Sequence, residues 1–345
     1  MQQSLIKLFN IEESKSYAII GNSKNAGKTT VLNKLIKDIS DEKKRSAVSS
    51  IGWDGEIVDR VYKTEKPAII IPKKSFVATC KELLPINSSL FKIHEDTGIE
   101  TILGSIYIVE ALHDMKVEVV GPRDLRSTKN LIDNLKKYAD YIILDGALNR
   151  STSASSMVTD GFIFSIVYSG KESLTEFEKN IRLFYEKFSK FEIASREKFK
   201  LEYKIDLDEM LNRNLVTYGS ENNVTFLDFQ NPIHNEEKLL SIENKIDWIY
   251  LPGAITDIMI EKLSNFFVDI TIIIDDWTKN FLSLRAINIL KNRNCKIYYL
   301  FNSKLIGITV STWSGSKYIK SLPSEVISIV KSIFQNYPVV DLFYN

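Results

Sequence analysis

The residues best suited to chemistry stand in one short run. Gly21-Asn22-Ser23-Lys24-Asn25-Ala26-Gly27-Lys28-Thr29-Thr30 follows an apolar segment, Ser16–Ile20. After it, Val31, Leu32, Leu35 and Ile36 recur at helical spacing. A glycine-bearing turn between a strand and a helix aims successive backbone N–H groups inward, and the positive end of the helix adds to that cradle. This is the chemistry of a phosphate-binding P-loop, and it predicts ATP with Mg2+ as the bound group. Asn22, Ser23, Lys24, Asn25, Ala26, Gly27, Lys28, Thr29 and Thr30 would surround the nucleotide. Lys28 would reach the β- and γ-phosphates, the Thr29 hydroxyl would join the magnesium shell, and Thr30 would meet the α-phosphate. One position departs from the usual spacing: Asn22 stands where the first glycine belongs, and Gly21 comes one residue early. Asparagine tolerates left-handed backbone angles, which keeps the turn feasible there.

A magnesium nucleotide also needs a carboxylate at a neighbouring strand end. Tyr141-Ile142-Ile143-Leu144-Asp145-Gly146 is an apolar strand closing on an aspartate, an expensive place for a charge without a cation. Asp145 is therefore the first acidic candidate, with a capping aspartate as the alternative. Asp54, in Ser50-Ile51-Gly52-Trp53-Asp54-Gly55-Glu56, is the second, with an ordinary Asp-Gly turn as its alternative. The expected catalytic set is Lys28, Asp145 and Asp54, and the expected metal contacts are Thr29, Asp145 and Asp54. Asp275-Asp276, also at a strand end, could contact a substrate or a second metal, or serve as caps.

The elements that must hold these residues read as α/β. Apolar runs at Ser16–Ile20, Ala47–Ile51, Ala68–Ile71, Val117–Val120, Tyr141–Leu144 and Phe162–Val167 alternate with helical patterns such as Ser127–Tyr138. That predicts a P-loop NTPase domain with a mainly parallel sheet over residues 1–170. Phe177, Ile181, Phe184 and Phe188 recur at helical spacing and open a helix-rich connecting region, 171–246. A second, smaller α/β unit is expected over 247–345 as a possible partner-docking domain. Its strands are Trp248–Leu251, Ile270–Ile274 and Lys296–Phe301, and its helices Ile255–Leu263 and Phe281–Leu290.

Composition excludes several classes. Lys+Arg at 45 against Asp+Glu at 44 gives a net charge of +1, so no whole-chain field draws nucleic acid or anionic lipid. Two distant cysteines, Cys80 and Cys295, argue against a disulfide framework, and His94, His113 and His234 lack paired ligand spacing. The opening residues lack a secretory pattern, and no run of about 20 apolar residues occurs. A cytoplasmic protein without nucleic-acid or membrane partners is expected.

Over nearly its whole length the chain resembles the small subunit of the reactivase that accompanies adenosylcobalamin-dependent lysine 5,6-aminomutase. The resemblance rests on Gly21–Asn33, Ser50-Ile51-Gly52, Asp54-Gly55-Glu56, Thr97-Gly98 with Leu103-Gly104, and Gly121-Pro122. It continues through Asp145-Gly146-Ala147 with Arg150, Pro252-Gly253-Ala254-Ile255-Thr256-Asp257, and Thr278-Lys279. Trp53 and Ser311-Thr312 depart from that pattern. More broadly the first domain is similar to the P-loop enzymes that include dethiobiotin synthetase. The resemblance implies an ATP-dependent reactivating chaperone that exchanges damaged cobalamin on an aminomutase, with a larger reactivase subunit similar to mismatch-repair ATPases. The broader likeness implies an alternative, an ATP-dependent ligase or kinase acting on a small carboxylate.

Overall fold

A computed structural model of the chain describes residues 4–23, 25–51, 68–146, 158–189, 191–220, 223–230, 232, 235–242, 246–263, 267–313, 318–319 and 324–341. The chain forms two compact units, one of Met1–Glu178 with Ser303–Asn345, the other of Lys179–Asn302.

The first unit begins with a short helix α1 (Leu5–Leu8), then β1 (Lys15–Gly21), α2 (Lys28–Asp41) and β2 (Ser46–Ser50). β3 (Ile69–Ile71), β4 (Phe76–Cys80), β5 (Phe91–Thr101), β6 (Gly104–Ala111) and β7 (Met115–Val117) follow. The run continues through α3 (Leu125–Leu135), β8 (Tyr141–Asp145), β9 (Gly161–Tyr168) and α4 (Leu174–Ser189).

Within the second unit lie β10 (Glu192–Ile193), α5 (Arg196–Glu202), α6 (Leu207–Arg213), β11 (Thr217–Ser220), β12 (Asn223–Phe226) and α7 (Glu236–Leu240). They are followed by β13 (Trp248–Leu251), β14 (Ile255–Thr256), α8 (Asp257–Lys262), β15 (Thr271–Ile274), β16 (Asn280–Phe281), α9 (Leu284–Asn292) and β17 (Lys296–Tyr299). The chain then returns to the first unit with β18 (Leu305–Trp313), β19 (Tyr318–Ile319), α10 (Ser324–Ile333) and β20 (Val339–Asp341).

The large sheet runs β19-β18-β9-β1-β8-β2-β4-β6-β5, with β20 beside β18. From β18 to β4 the pairing is parallel, whereas β4, β6 and β5 pair antiparallel. Central parallel strands are covered on both faces and therefore read as unbroken apolar runs. Tyr17 to Ile20 of β1 and Tyr141 to Leu144 of β8 are all buried. α2 covers one face of the sheet through Val31, Leu32, Leu35, Ile36 and Ile39. Asp38, buried on the same helix, accepts the Leu5 N–H at 2.8 Å and pairs with Lys34, which fixes α1 against α2.

Three features differ from the sequence expectation. β3 and β7 pair with each other, apart from the large sheet. The antiparallel extension β4-β6-β5 carries no alternating apolar signal on its edge strand, where Lys92, His94 and Asp96 are exposed. Finally, β18 and β20, which the sequence groups with the distal unit, join the large sheet, because β18 finds its partner at Phe162–Tyr168 of β9 and β20 pairs with Ile308–Val310 of β18. The second unit is thus inserted between two adjacent strands of the first. Its own mixed sheet has the order β10-β17-β15-β13-β11-β12, with β10, β17, β15 and β13 parallel and β11 antiparallel to both neighbours.

Candidate functional site

β1 lies between β8 and β9. β2 and β4 stand on one side of it, β9 and β18 on the other, so the connections diverge at its carboxyl end. Open α/β sheets hold ligands at such a switch point. At this end the chain leaves β1 at Gly21 and enters α2 at Lys28.

The turn between them is built from backbone. Asn25 has φ 59° and Gly27 has φ 82°, so two left-handed residues fold the chain back toward α2. Gly27 caps the helix, and as a glycine it has no side chain to bond the N–H groups of the first turn. A Cβ on Gly21 would stand 2.8 Å from the Ala26 Cβ and 3.4 Å from both Cγ and Cδ of Lys28. The turn and the Lys28 stem therefore lie directly over Gly21, an approach only glycine permits. Lys28, Thr29 and Thr30 are half-buried, as is Ser23; Asn25 is exposed, and Ala26 and Gly27 are buried.

Asn22 takes a different part from the one its spacing suggests. Its φ is not left-handed; Asn25 supplies that turn instead. The Asn22 side chain donates Nδ2 to the Val167 carbonyl at 3.0 Å and accepts the Val167 N–H at 2.9 Å. Its own N–H bonds the Ser165 carbonyl at 3.1 Å. The carboxamide thus mimics a peptide and carries the β1–β9 ladder one step further.

Two residues that the sequence reading passed over support the turn from beneath. Buried Ser165 on β9 donates its hydroxyl to the Ala26 carbonyl, and Thr309 on β18 donates to Ser165 Oγ at 3.0 Å. A hydroxyl in an otherwise apolar strand (Gly161-Phe-Ile-Phe-Ser165-Ile-Val) was the available signal.

Asp145 closes β8 in register with Ile19 of β1 and Ser50 of β2. The Gly146 N–H bonds the Ile19 carbonyl at 3.0 Å, and Ser50 Oγ donates to the Asp145 carbonyl at 3.1 Å. The half-buried Asp145 thereby stands at the same sheet edge as the loop. A Cβ on Gly121 would fall 1.5 Å from the Ser50 carbonyl oxygen, so the Gly121-Pro122 segment touches that edge backbone to backbone. Lys24 and Asp54, with Trp53, Glu56, Ala147 and Arg150, lie outside the described residues. Among the described residues no group of three or more His, Cys, Asp or Glu side chains is placed to hold a metal ion.

No protein-family model, curated protein or solved structure matches the chain.

A second polar edge lies in the smaller unit, at the carboxyl ends of β13, β15 and β17. Asp276 accepts the N–H of Thr278 at 2.9 Å and also its hydroxyl, the behaviour of a cap. Asp275 accepts the Tyr250 hydroxyl at 2.7 Å. Burial pushes its carboxyl up to about 6, the Tyr250 bond opposing and the Asp276 charge adding. Burial likewise raises the Tyr250 and Tyr299 hydroxyls far above their ordinary value, so both remain donors. Cys80 and Cys295 are both free thiols raised by burial. No described helix is long and apolar enough to cross a membrane.

Proposed function

We propose that the chain binds ATP with Mg2+ at the loop between β1 and α2 and spends its hydrolysis on a partner protein. The observation that carries the nucleotide reading is the form of this loop. It leaves a central parallel strand, turns through left-handed Asn25 and Gly27, and enters a 14-residue helix whose cap offers no side chain. A helix N-terminus of this kind presents N–H donors and positive potential to an anion. Lys28, with its stem over Gly21, would place an ammonium against the β- and γ-phosphates.

Magnesium asks little of the protein beyond one or two oxygen ligands, because phosphates and waters complete its octahedron. The Thr29 hydroxyl and the Asp145 carboxylate fit that role, with Asp54 as a second carboxylate. Oxygen donors of this type suit magnesium rather than zinc or copper. Held by Thr29 and Asp145, such an ion would supply positive charge to offset the negative charge that develops on the phosphates. Asn22 contributes through the Val167 pairing that sets the loop's exit from β1, and Ser165 through the Ala26 carbonyl.

The target of the hydrolysis rests on the resemblance described above. In that reading the chain is an ATP-dependent reactivating factor for an adenosylcobalamin-dependent aminomutase, working with a larger reactivase subunit. Nucleotide occupancy would bias a two-state element toward one partner-binding form.

Lys28→Ala tests the reading. The variant should bind a fluorescent ATP analogue at least about 100-fold more weakly, because the ammonium facing the phosphates is gone, while unfolding at an unchanged temperature. Undiminished binding would remove the loop from the site. Affinity capture with a candidate aminomutase tests the partner separately, since a wild-type chain that binds ATP and retains no mutase keeps the nucleotide reading and loses the other.

A further inference from the structure

In the second unit, the two helices that follow β14 and β16 enclose a cleft. β14 and β16 pair in parallel, Ile255 with Asn280 and Thr256 with Phe281, so α8 and α9 set out side by side. Asp257, the first residue of α8, accepts the N–H of Ser283, the cap of α9, at 2.7 Å and ties the two starts together. Between the helices lies an open space of about 400 Å³, lined by Ile260, Glu261, Arg285, Ile289, Asn292 and Arg293. Ile260 is buried and Ile289 half-buried, so the floor is aliphatic. An apolar floor with a few polar groups around it, at this size, is the form of a small-molecule site.

The rim of the cleft carries both signs of charge. Among the described residues Glu261, Arg285 and Arg293 form no ion pair with one another or with any other side chain, although all three line the same space. Arg293 is fixed at its backbone, its N–H on the Ile289 carbonyl at 3.1 Å and its carbonyl taking the Asp269 N–H at 2.9 Å. The Asp269 carboxylate turns instead to Asn294 Nδ2, at 2.9 Å. Arg285 and Arg293 stand about 12 Å apart along the helix, with Ile289 between them. Two guanidinia and one carboxylate thus share a cleft without neutralising each other.

We propose that the cleft between α8 and α9 binds an α-amino acid with an aliphatic side chain, its carboxylate on Arg285 and Arg293, its ammonium on Glu261 and its side chain over Ile260 and Ile289. The mixed charge sets the class of ligand. A plain anion would be repelled by Glu261 and a plain cation by the two arginines, whereas a zwitterion answers all three. A guanidinium matches a carboxylate in two parallel hydrogen bonds, which gives the arginines their part. Because the helix starts are already tied together, little ordering is left for the ligand to impose. The site stands independently of the nucleotide reading, since none of its residues belongs to the loop after β1.

The test is ligand-observed NMR of the full chain titrated with L-leucine. Saturation transfer to the leucine methyl groups should give a Kd of about 1 mM. Two analogues each lack one charge: 4-methylpentanoate has no ammonium and 3-methylbutylamine no carboxylate. Both should bind at least about tenfold more weakly than leucine. The variants change exposed residues and should unfold at the wild-type temperature. Arg285→Gln should weaken leucine about tenfold, and Glu261→Gln should weaken leucine about fivefold while tightening 4-methylpentanoate, whose repulsion is removed. No transfer to leucine, or 4-methylpentanoate binding the wild type as tightly as leucine, would overturn the proposal. Leucine affinity unchanged in both variants would do the same.

Discussion

The carboxyl edges of the two sheets are constructed from different materials. In the first unit the edge at β1, β8 and β2 is made chiefly by backbone. Left-handed Asn25 and Gly27 shape it, Gly21 and Gly121 let main chain or side-chain stems approach closely, and Asn22 behaves as an extra peptide group. In the second unit the edge at β13, β15 and β17 is made by side chains, with buried Asp275 and Asp276 answered by Tyr250 and Thr278. A backbone-built edge offers N–H donors, fixed in place and independent of pH. A side-chain-built edge carries titratable charge in a desolvated setting. The two edges should therefore respond differently to a lost hydrogen atom, a lost proton and a lost hydroxyl.

The largest difference is expected from Gly121→Ala. A Cβ there would stand 1.5 Å from the Ser50 carbonyl oxygen and 2.4 Å from its carbon, and main chain cannot give way as a flexible side chain does. Urea unfolding should show a loss of about 4 kcal/mol or a failure to fold. A variant of wild-type stability would break the comparison on the first unit's side.

Asp275→Asn probes the other edge through pH. Because the folded carboxyl is raised to about 6, above about 3.9 in the unfolded chain, the folded state favours the protonated form. Its stabilising contribution is full below about pH 4 and lost as pH rises through about 6. The neutral asparagine should thus gain on the wild type over that window, by on the order of 3 kcal/mol at pH 7. Denaturant melts of both proteins from pH 4 to 7 measure it, and parallel curves would refute it. Asp160, in the first unit, should move oppositely. Burial raises its pKa, but the Ser16 N–H and hydroxyl, with Lys136 and Lys15, outweigh that and leave it below the ordinary value. Its contribution is therefore present above the unfolded pKa and lost as pH falls through the folded one.

Ser165→Ala removes the hydroxyl that reaches the Ala26 carbonyl and receives Thr309. A cost of about 1–2 kcal/mol is expected, together with weaker binding of a fluorescent ATP analogue. An unchanged nucleotide affinity would detach the β9–β18 buttress from the loop. The smallest effect is expected from Thr256→Ala, which removes the side-chain acceptor for the Met259 N–H at the start of α8. A change of about 1 kcal/mol in chemical unfolding is typical of such caps.

Much of the parallel framework was legible in the sequence because each buried strand is a short β-branched run. Trp248–Leu251 begins and ends as read, and the strands at β1, β2, β8, β9 and β15 lie within a residue or two of their expected limits. The affiliation of a strand was not legible. Leu305-Ile-Gly-Ile-Thr-Val has the same apolar character as Trp248-Ile-Tyr-Leu, and nothing local distinguishes a partner at Phe162 from one in the neighbouring unit. The edge strand Phe91–Thr101 was hidden because a solvated edge carries charged residues by design. At the site, spacing pointed to the loop and to Asp145 at the adjoining strand end. It could not show that the Asn22 carboxamide would be engaged by Val167, since that pairing depends on which strand lies alongside.

The return of β18 also governs the order in which the protein can assemble. During synthesis β9 is complete long before Leu305 emerges, because the whole of Lys179–Asn302 is made in between. Until then β9 has β1 on one side and an open row of peptide groups on the other, the kind of edge that recruits other chains. Ser165 meanwhile lacks Thr309. The support beneath the loop after β1 is therefore finished among the last steps of folding, and a ribosome product truncated within the second unit would expose both an adhesive strand and an unsupported loop.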